Sequence, residues 1–225
     1  MKLYYETVSK PLLESLQKLM TDTAFDDFVL VGGTALSLQV GHRISIDIDL
    51  FTTNNYGSMN LEEMKNALLH TFSYIDCIEN LNGRNLGYSV NVGNNELESI
   101  KLDLYYTDKF IKPIIQHNGL RMAALPDIAA MKMEAIVNSK RKKDFWDVHE
   151  LLEYFPFGQI VQYGLQRNPY TLTEEDIVNT LCNLTEDTDL SNDKPVNCLK
   201  GKYWELITED LRTAAEYHKT FNNAH

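Results

Sequence analysis

Cysteine is scarce in this 225-residue chain: Cys77, Cys182 and Cys198 are an odd number with no CxxC spacing. That pattern excludes a disulfide framework and gives no zinc-ligand pair, and it fits a reducing compartment. Long apolar runs are missing too. No stretch approaches the roughly 18 residues of a membrane span, and the opening MKLYYETVSKPLLESL scatters its charges where a secretory leader would keep an apolar core and a cleavage site. A soluble, cytoplasmic protein with no membrane partner is the expectation. Positive charge is also short, with 21 Lys+Arg against 32 Asp+Glu and a net charge of −11. This opposes indiscriminate binding to nucleic acid or anionic lipid, so an RNA partner would need a local basic patch. There is no internal repeat or low-complexity stretch, and the tyrosines and phenylalanines are spread as core residues are, with no stacking code for RNA.

What is present is enough to fold. At 44% hydrophobic, the chain can bury a real core as one large domain or one domain with a smaller appendage. Val8, Leu12, Leu13, Leu16, Leu19 and Met20 recur at helical spacing and predict an amphipathic first helix. DFVLVGG reads as a short buried strand stopped by glycines, and TALSLQVGH as a helix closing at Gly41. In RISIDIDLF, strict alternation predicts a strand with Ser45, Asp47 and Asp49 on one face and Ile44, Ile46, Ile48 and Leu50 on the other. A helix is expected over 60–72 and strands near 74–79, 86–93 and 98–106, the last two joined at GNN as a hairpin. From Pro126 the period becomes helical: PDIAAMKMEAIVNSKRK, DFWDVHELLEYF, then weaker helices near 158–166, 173–182 and 203–221. Residues 185–197 read as a long loop. The expected architecture is α+β, a mixed sheet flanked by helices over 1–120 and a helical C-terminal domain over 121–225 that completes the active-site cleft.

The chemistry-bearing residues concentrate in the first half. Asp47 and Asp49, one residue apart on a strand, point the same way about 7 Å apart, within reach of one or two divalent cations. Two uncompensated carboxylates there would be costly, and a cation is the simplest remedy. Gly32, Gly33 and Thr34 lie between a strand and a helix, where backbone N–H groups and the helix N-terminus favour an anion and a hydroxyl adds a donor. A phosphate cradle beside a metal pair is what phosphoryl-type transfer requires. Asp103 shares a strand face with Lys101 and Tyr105 and is the candidate third carboxylate, able to share an ion and to act as or orient a base; it is equally placed to pair with Lys101.

Other candidates carry two readings each. Lys132 interrupts an apolar helix face and could meet a triphosphate or snorkel to solvent. Arg141, Lys142 and Lys143 form the one dense basic cluster, suited to phosphate or to a solvated helix end. Asp144, with Asp147 three residues on, suits catalysis or a helix N-cap with a first-turn acid. His42 and Arg43 lie next to the aspartates in sequence, although His42 also fits a surface turn; His149 reads as structural.

VGGTALSLQVGHRISIDIDLF and PDIAAMKMEAIVNSKRKKDFWDV together closely resemble the two signature blocks of the AbiEii/AbiGii toxin-type nucleotidyltransferases, of the DNA polymerase β-like superfamily, over about 28–155. The resemblance implies that Gly32, Gly33 and Thr34 contact phosphate and that Asp47, Asp49 and Asp103 bind Mg²⁺ or Mn²⁺. It further implies that Lys132, with Arg141, holds the nucleotide and that Asp144 or Asp147 supports the site. It makes the expected activity transfer of a nucleoside monophosphate from an NTP to RNA, specifically tRNA, by a toxin paired with a separately encoded antitoxin. Two alternatives stay open: a small-molecule or protein hydroxyl as acceptor, which the acidic composition favours, and an inactive nucleotidyltransferase-like binding module.

Overall fold

A computed structural model of the chain describes residues 1–83, 85–185 and 195–222. The backbone groups into two compact units, Met1–Gly41 with Ser45–Ala124, and His42–Ile44 with Leu125–His225.

The first unit opens on α1 (Lys10–Thr21), where the Ser9 hydroxyl caps the amide of Leu12 and the Leu12, Leu16, Leu19 and Met20 stripe is buried. Strand β1 (Val29–Leu30) leads into α2 (Gly32–Val40), followed by β2 (Ile48–Thr52) and α3 (Leu61–Thr71). Then come β3 (Tyr74–Asp76), β4 (Gly87–Gly93), β5 (Ile100–Tyr106), β6 (Ile115–His117) and β7 (Leu120–Met122). The strands form one seven-stranded sheet in the order β3-β4-β5-β2-β1-β7-β6. Pairing is antiparallel except for β2 with β5 and β1 with β7, so the sheet is mixed. Ile48, Leu50, Leu102 and Leu104 have no exposure and anchor the two central strands from one face.

Three expectations change here and one hairpin went unread; the strand expected over 74–79 ends at Asp76 and gives way to a 3₁₀ turn at Ile78–Asn80. The strand read over 44–50 begins only at Ile48, and Ile46 is 52% exposed instead of anchored. The preceding backbone is committed elsewhere: the Ser45 amide donates to Thr7 O at 2.8 Å, and the Ile44 amide donates to Asn197 O at 2.9 Å. The β4–β5 connection is longer than a tight GNN turn and contains a short 3₁₀ helix at Glu96–Glu98. The β6–β7 hairpin went unread although Asn118-Gly119 marks it; both turn residues have positive φ, 50° and 78°, as a primed two-residue turn demands.

The second unit is helical: α4 (Leu125–Asn138), α5 (Lys142–Leu151), α6 (Phe157–Arg167), α7 (Glu174–Cys182) and α8 (Trp204–Asn222). Helices α4 and α6 pack closely at Gly164, where a Cβ would lie 2.8 Å from Met133 Cβ. On α5 and α8, Trp146 and Trp204 stack with centroids 5.5 Å apart. His42–Ile44 joins this unit through an antiparallel bridge between Arg43 and Cys198 and a hydrogen bond from the Leu199 amide to His42 O at 2.8 Å. Most of the loop expected at 185–197 lies outside the described residues. No helix among the described residues is long and apolar enough to cross a membrane.

Candidate active site

In the first unit, Asp49 on β2 and Asp103 on β5 are direct partners in the parallel pairing, and Ser89 on β4 is the antiparallel partner of Asp103. Directly paired residues share a sheet face, so Ser89, Asp103 and Asp49 form one row across three strands. The alternation that buries Ile48 and Leu50 turns Asp49 to the opposite, half-buried face. Ser89 Oγ donates to Asp103 Oδ1, and Lys101 Nζ donates to Asp103 Oδ2 at 2.5 Å. Of the two alternatives read for Asp103, the pairing with Lys101 is present, and the residue shares a sheet face with Asp49.

Asp49 also meets the start of α2. Gly32 has φ of 66°, which favours glycine, and a Cβ there would stand 2.5 Å from Asp49 Oδ2, so any side chain would push the carboxylate from its place. The Val31 amide donates to the Asp49 carbonyl at 2.9 Å and ties the helix entrance to β2. Thr34 is fully buried, its hydroxyl 2.8 Å from Ser45 Oγ and 2.5 Å from the Asp47 carbonyl. One hydroxyl proton serves both contacts if Thr34 donates to the carbonyl and Ser45 donates to Thr34. Thr34 thus clips the segment that carries Asp47, which precedes the strand and is half-buried.

Among the described residues no group of three or more His, Cys, Asp or Glu is arranged to hold a metal. The donor set nevertheless fits a hard divalent cation, because Asp47, Asp49 and Asp103 supply only oxygen. Lys101 feels all three. Partial burial pushes its pKa down, but the hydrogen bond to Asp103 and the fields of Asp103, Asp47 and Asp49 outweigh this and raise it.

In the second unit, Lys132, Asp144 and Arg141 come together with three residues that sequence reading placed lower. Lys132 is 5% exposed, and its Nζ lies 2.6 Å from both Asp144 Oδ1 and Asp147 Oδ2. Arg43 makes a forked contact with Asp147, Nε to Oδ1 at 2.7 Å and Nη2 to Oδ2 at 2.8 Å. His42 Nε2 lies 2.7 Å from Asp147 Oδ1, and Arg141 Nε lies 2.8 Å from Asp144 Oδ2. Lys132 therefore does not snorkel to solvent, His42 is not a surface turn residue, and Asp144 does not cap α5. The cap position is Arg141, without a side-chain cap bond.

Electrostatics follow from burial and pairing. Burial raises the Asp147 pKa, but Arg43 and Lys132 overcome it and hold the carboxyl well below its ordinary value. Asp144 is likewise lowered, chiefly by Lys132 against its own desolvation. Burial lowers the His42 pKa; the ring donates from Nε2 to Asp147, and among the described residues Nδ1 has no hydrogen-bond partner. The rest of the basic cluster is partly structural, since Lys142 Nζ sits 4.9 Å from the Trp204 ring centroid. His149 Nε2 lies 2.8 Å from Asp210 Oδ2.

Ser89 and Arg43 were the residues missed as site members. Ser89 carries no motif, since its place depends on strand register; Arg43 follows the GH of the first signature block, but its partner lies 104 positions away.

The fold is that of a nucleotidyltransferase. JHP933 from Helicobacter pylori shares it with a TM-score of 0.57 at 18% identity, covering 96% of this chain and 92% of that one. MenT4, a nucleotidyltransferase toxin from Mycobacterium tuberculosis, does so with a TM-score of 0.53 at 14% identity, over 91% and 83% of the two chains. In sequence, an uncharacterized protein of Aquifex aeolicus is 32% identical over 149 residues, 64% of this chain and 67% of that protein. The pattern of the nucleotidyl transferase AbiEii toxin of Type IV toxin–antitoxin systems matches residues 14–190. The chain belongs to this AbiEii nucleotidyltransferase toxin family.

Proposed function

We propose that the protein transfers a nucleoside monophosphate from an NTP to an RNA acceptor, tRNA in particular, and works as the toxin of a pair with a separately encoded antitoxin. The carrying observation is the parallel register of Asp49 and Asp103 against the glycine entrance of α2. In this reading Asp47, Asp49 and Asp103 hold Mg²⁺ or Mn²⁺, which supplies charge neutralisation to the reacting phosphate. The amides at Gly32 and Gly33 orient the phosphates, and Thr34 keeps Asp47 in place. Asp103 takes, or orients the group that takes, the proton of the acceptor hydroxyl. The acceptor oxygen then bonds to the α-phosphorus as the bond to the β-phosphate oxygen breaks and pyrophosphate leaves. Lys132 and Arg141 are assigned to the triphosphate, with Asp144 and Asp147 orienting Lys132. Three free cysteines support a reducing, cytoplasmic setting.

A second acceptor class, a small-molecule or protein hydroxyl, is favoured by one observation, the net charge of −11. The test is incubation of the purified chain with Mg²⁺, each α-³²P-labelled NTP and total RNA, beside an Asp49→Ala control. Label entering tRNA-sized RNA with the wild type alone supports the RNA acceptor. No label in RNA, with NTP binding intact, transfers the assignment to the second class.

A further inference from the structure

Asp103 already has a donor on each oxygen, Ser89 Oγ on Oδ1 and Lys101 Nζ on Oδ2. The two partners differ in kind. Ser89 is held by the sheet register, opposite Asp103 on β4. Lys101 instead stands at an open end: its side chain is 50% exposed, against 13% for Asp103. The fields of Asp47 and Asp49 reach the same ammonium. Among the described residues, Lys101 is thus a half-exposed cation set on the carboxylate face that the register forms.

We propose that Lys101 is the resident counter-cation of this carboxylate row, held on Asp103 and displaced from it when a divalent ion takes that oxygen. The proposal rests on the reading of Asp47, Asp49 and Asp103 as metal-binding. Carboxylates on one sheet face repel one another, and an ammonium relieves that repulsion until a doubly charged ion arrives. Lysine suits exchange better than arginine would. Its compact charge rides on a flexible four-carbon stem that can swing to solvent, whereas a guanidinium fork would grip the carboxylate at two points. The consequence is a site that is stable without metal and needs more metal to fill than its carboxylates alone would require.

The test uses the full chain and Mn²⁺ alone, without nucleotide, counting free Mn²⁺ by electron paramagnetic resonance. Wild type is compared with Lys101→Gln and with Lys101→Met, each checked for wild-type far-ultraviolet circular dichroism. Removing a half-exposed ion-pair competitor should tighten Mn²⁺ binding roughly threefold to fivefold in both variants. The gain should persist in about 0.5 M KCl, where charges acting from beyond about 5 Å are screened. Mn²⁺ should also raise the melting temperature more in the variants than in the wild type. Equal or weaker binding by both variants, with the wild type binding Mn²⁺, overturns the role of Lys101 and leaves the metal site standing; so does a gain that vanishes in high salt. No Mn²⁺ bound by any of the folded proteins overturns the metal reading and this proposal together.

Discussion

Asp49 and Asp103 stand directly opposite one another on parallel strands β2 and β5, with Asp49 pressed against the Gly32 entrance of α2. Parallel register turns both side chains to one face, so backbone pairing alone makes neighbours of two residues 54 positions apart. The hydrophobic partners Ile48, Leu50, Leu102 and Leu104 hold that register, because slipping by one residue would exchange the carboxylates with the core.

Asp49→Asn should leave the fold intact, because the side chain lies on a half-buried face, and should abolish transfer. Losing an outer-shell partner typically lowers metal affinity or activity about 10–100-fold, and a direct ligand should exceed that. The check is single-turnover incorporation of labelled NTP beside a urea unfolding curve. Near-wild-type incorporation by a folded Asp49→Asn protein would remove Asp49 from the metal-binding set.

Gly32→Ala should affect both stability and activity. A side chain at φ of 66° is strained, at about 1–2 kcal/mol for an L-residue. The new methyl also displaces Asp49 Oδ2, since the carboxylate rotates more readily than the backbone moves. Urea denaturation should show the stability loss, and transfer should fall as far as it does in Asp49→Asn.

The buried ion network should rank two substitutions. Asp147→Ala removes the shared partner of Lys132, Arg43 and His42 and leaves Arg43 without its forked contact. Lys132→Met leaves Arg141 on Asp144 and Arg43 on Asp147. Breaking a buried pair destabilises by about 3–5 kcal/mol, so Asp147→Ala should lie at the upper end and Lys132→Met at the lower. Equilibrium unfolding in urea gives the order.

Stability should fall in two stages on acidification. His42 has a folded pKa below its unfolded value of 6.5, so below that pH the unfolded chain binds a proton the native state resists. Stability declines there by at most about 1.4 kcal/mol per pH unit for one such group. Asp144 and Asp147 have folded values below 3.8, so their contribution is present above that pH and is lost as pH falls through the lower folded values. His42→Gln should remove the upper stage and leave the lower. Unfolding free energies from pH 8 to pH 2 in both proteins test this, and an unchanged upper stage in His42→Gln would place its origin in another group.

Much of the site was legible because its chemistry is written in short spacing. Gly32-Gly33-Thr34, Asp47 and Asp49 fall within 18 residues, and alternation alone assigns Ile48 and Leu50 to the core. What alternation could not show was where β2 begins. Ser45 and Ile44 have the right pattern for a strand, but their amides bond to Thr7 and Asn197, which are remote in sequence.

By itself, then, the sequence determined the helices, the approximate places of β1 to β5, the acidic pair and the family resemblance, since each depends on periodicity or motif within a few residues. The tertiary structure decided the partners: Asp103 beside Asp49 and Ser89, Lys101 on Asp103, and Lys132 between Asp144 and Asp147 with Arg43 behind them. Ion pairs and register act over a few ångströms of space between residues more than 100 positions apart, and no local pattern encodes which distant charge will neutralise a buried one.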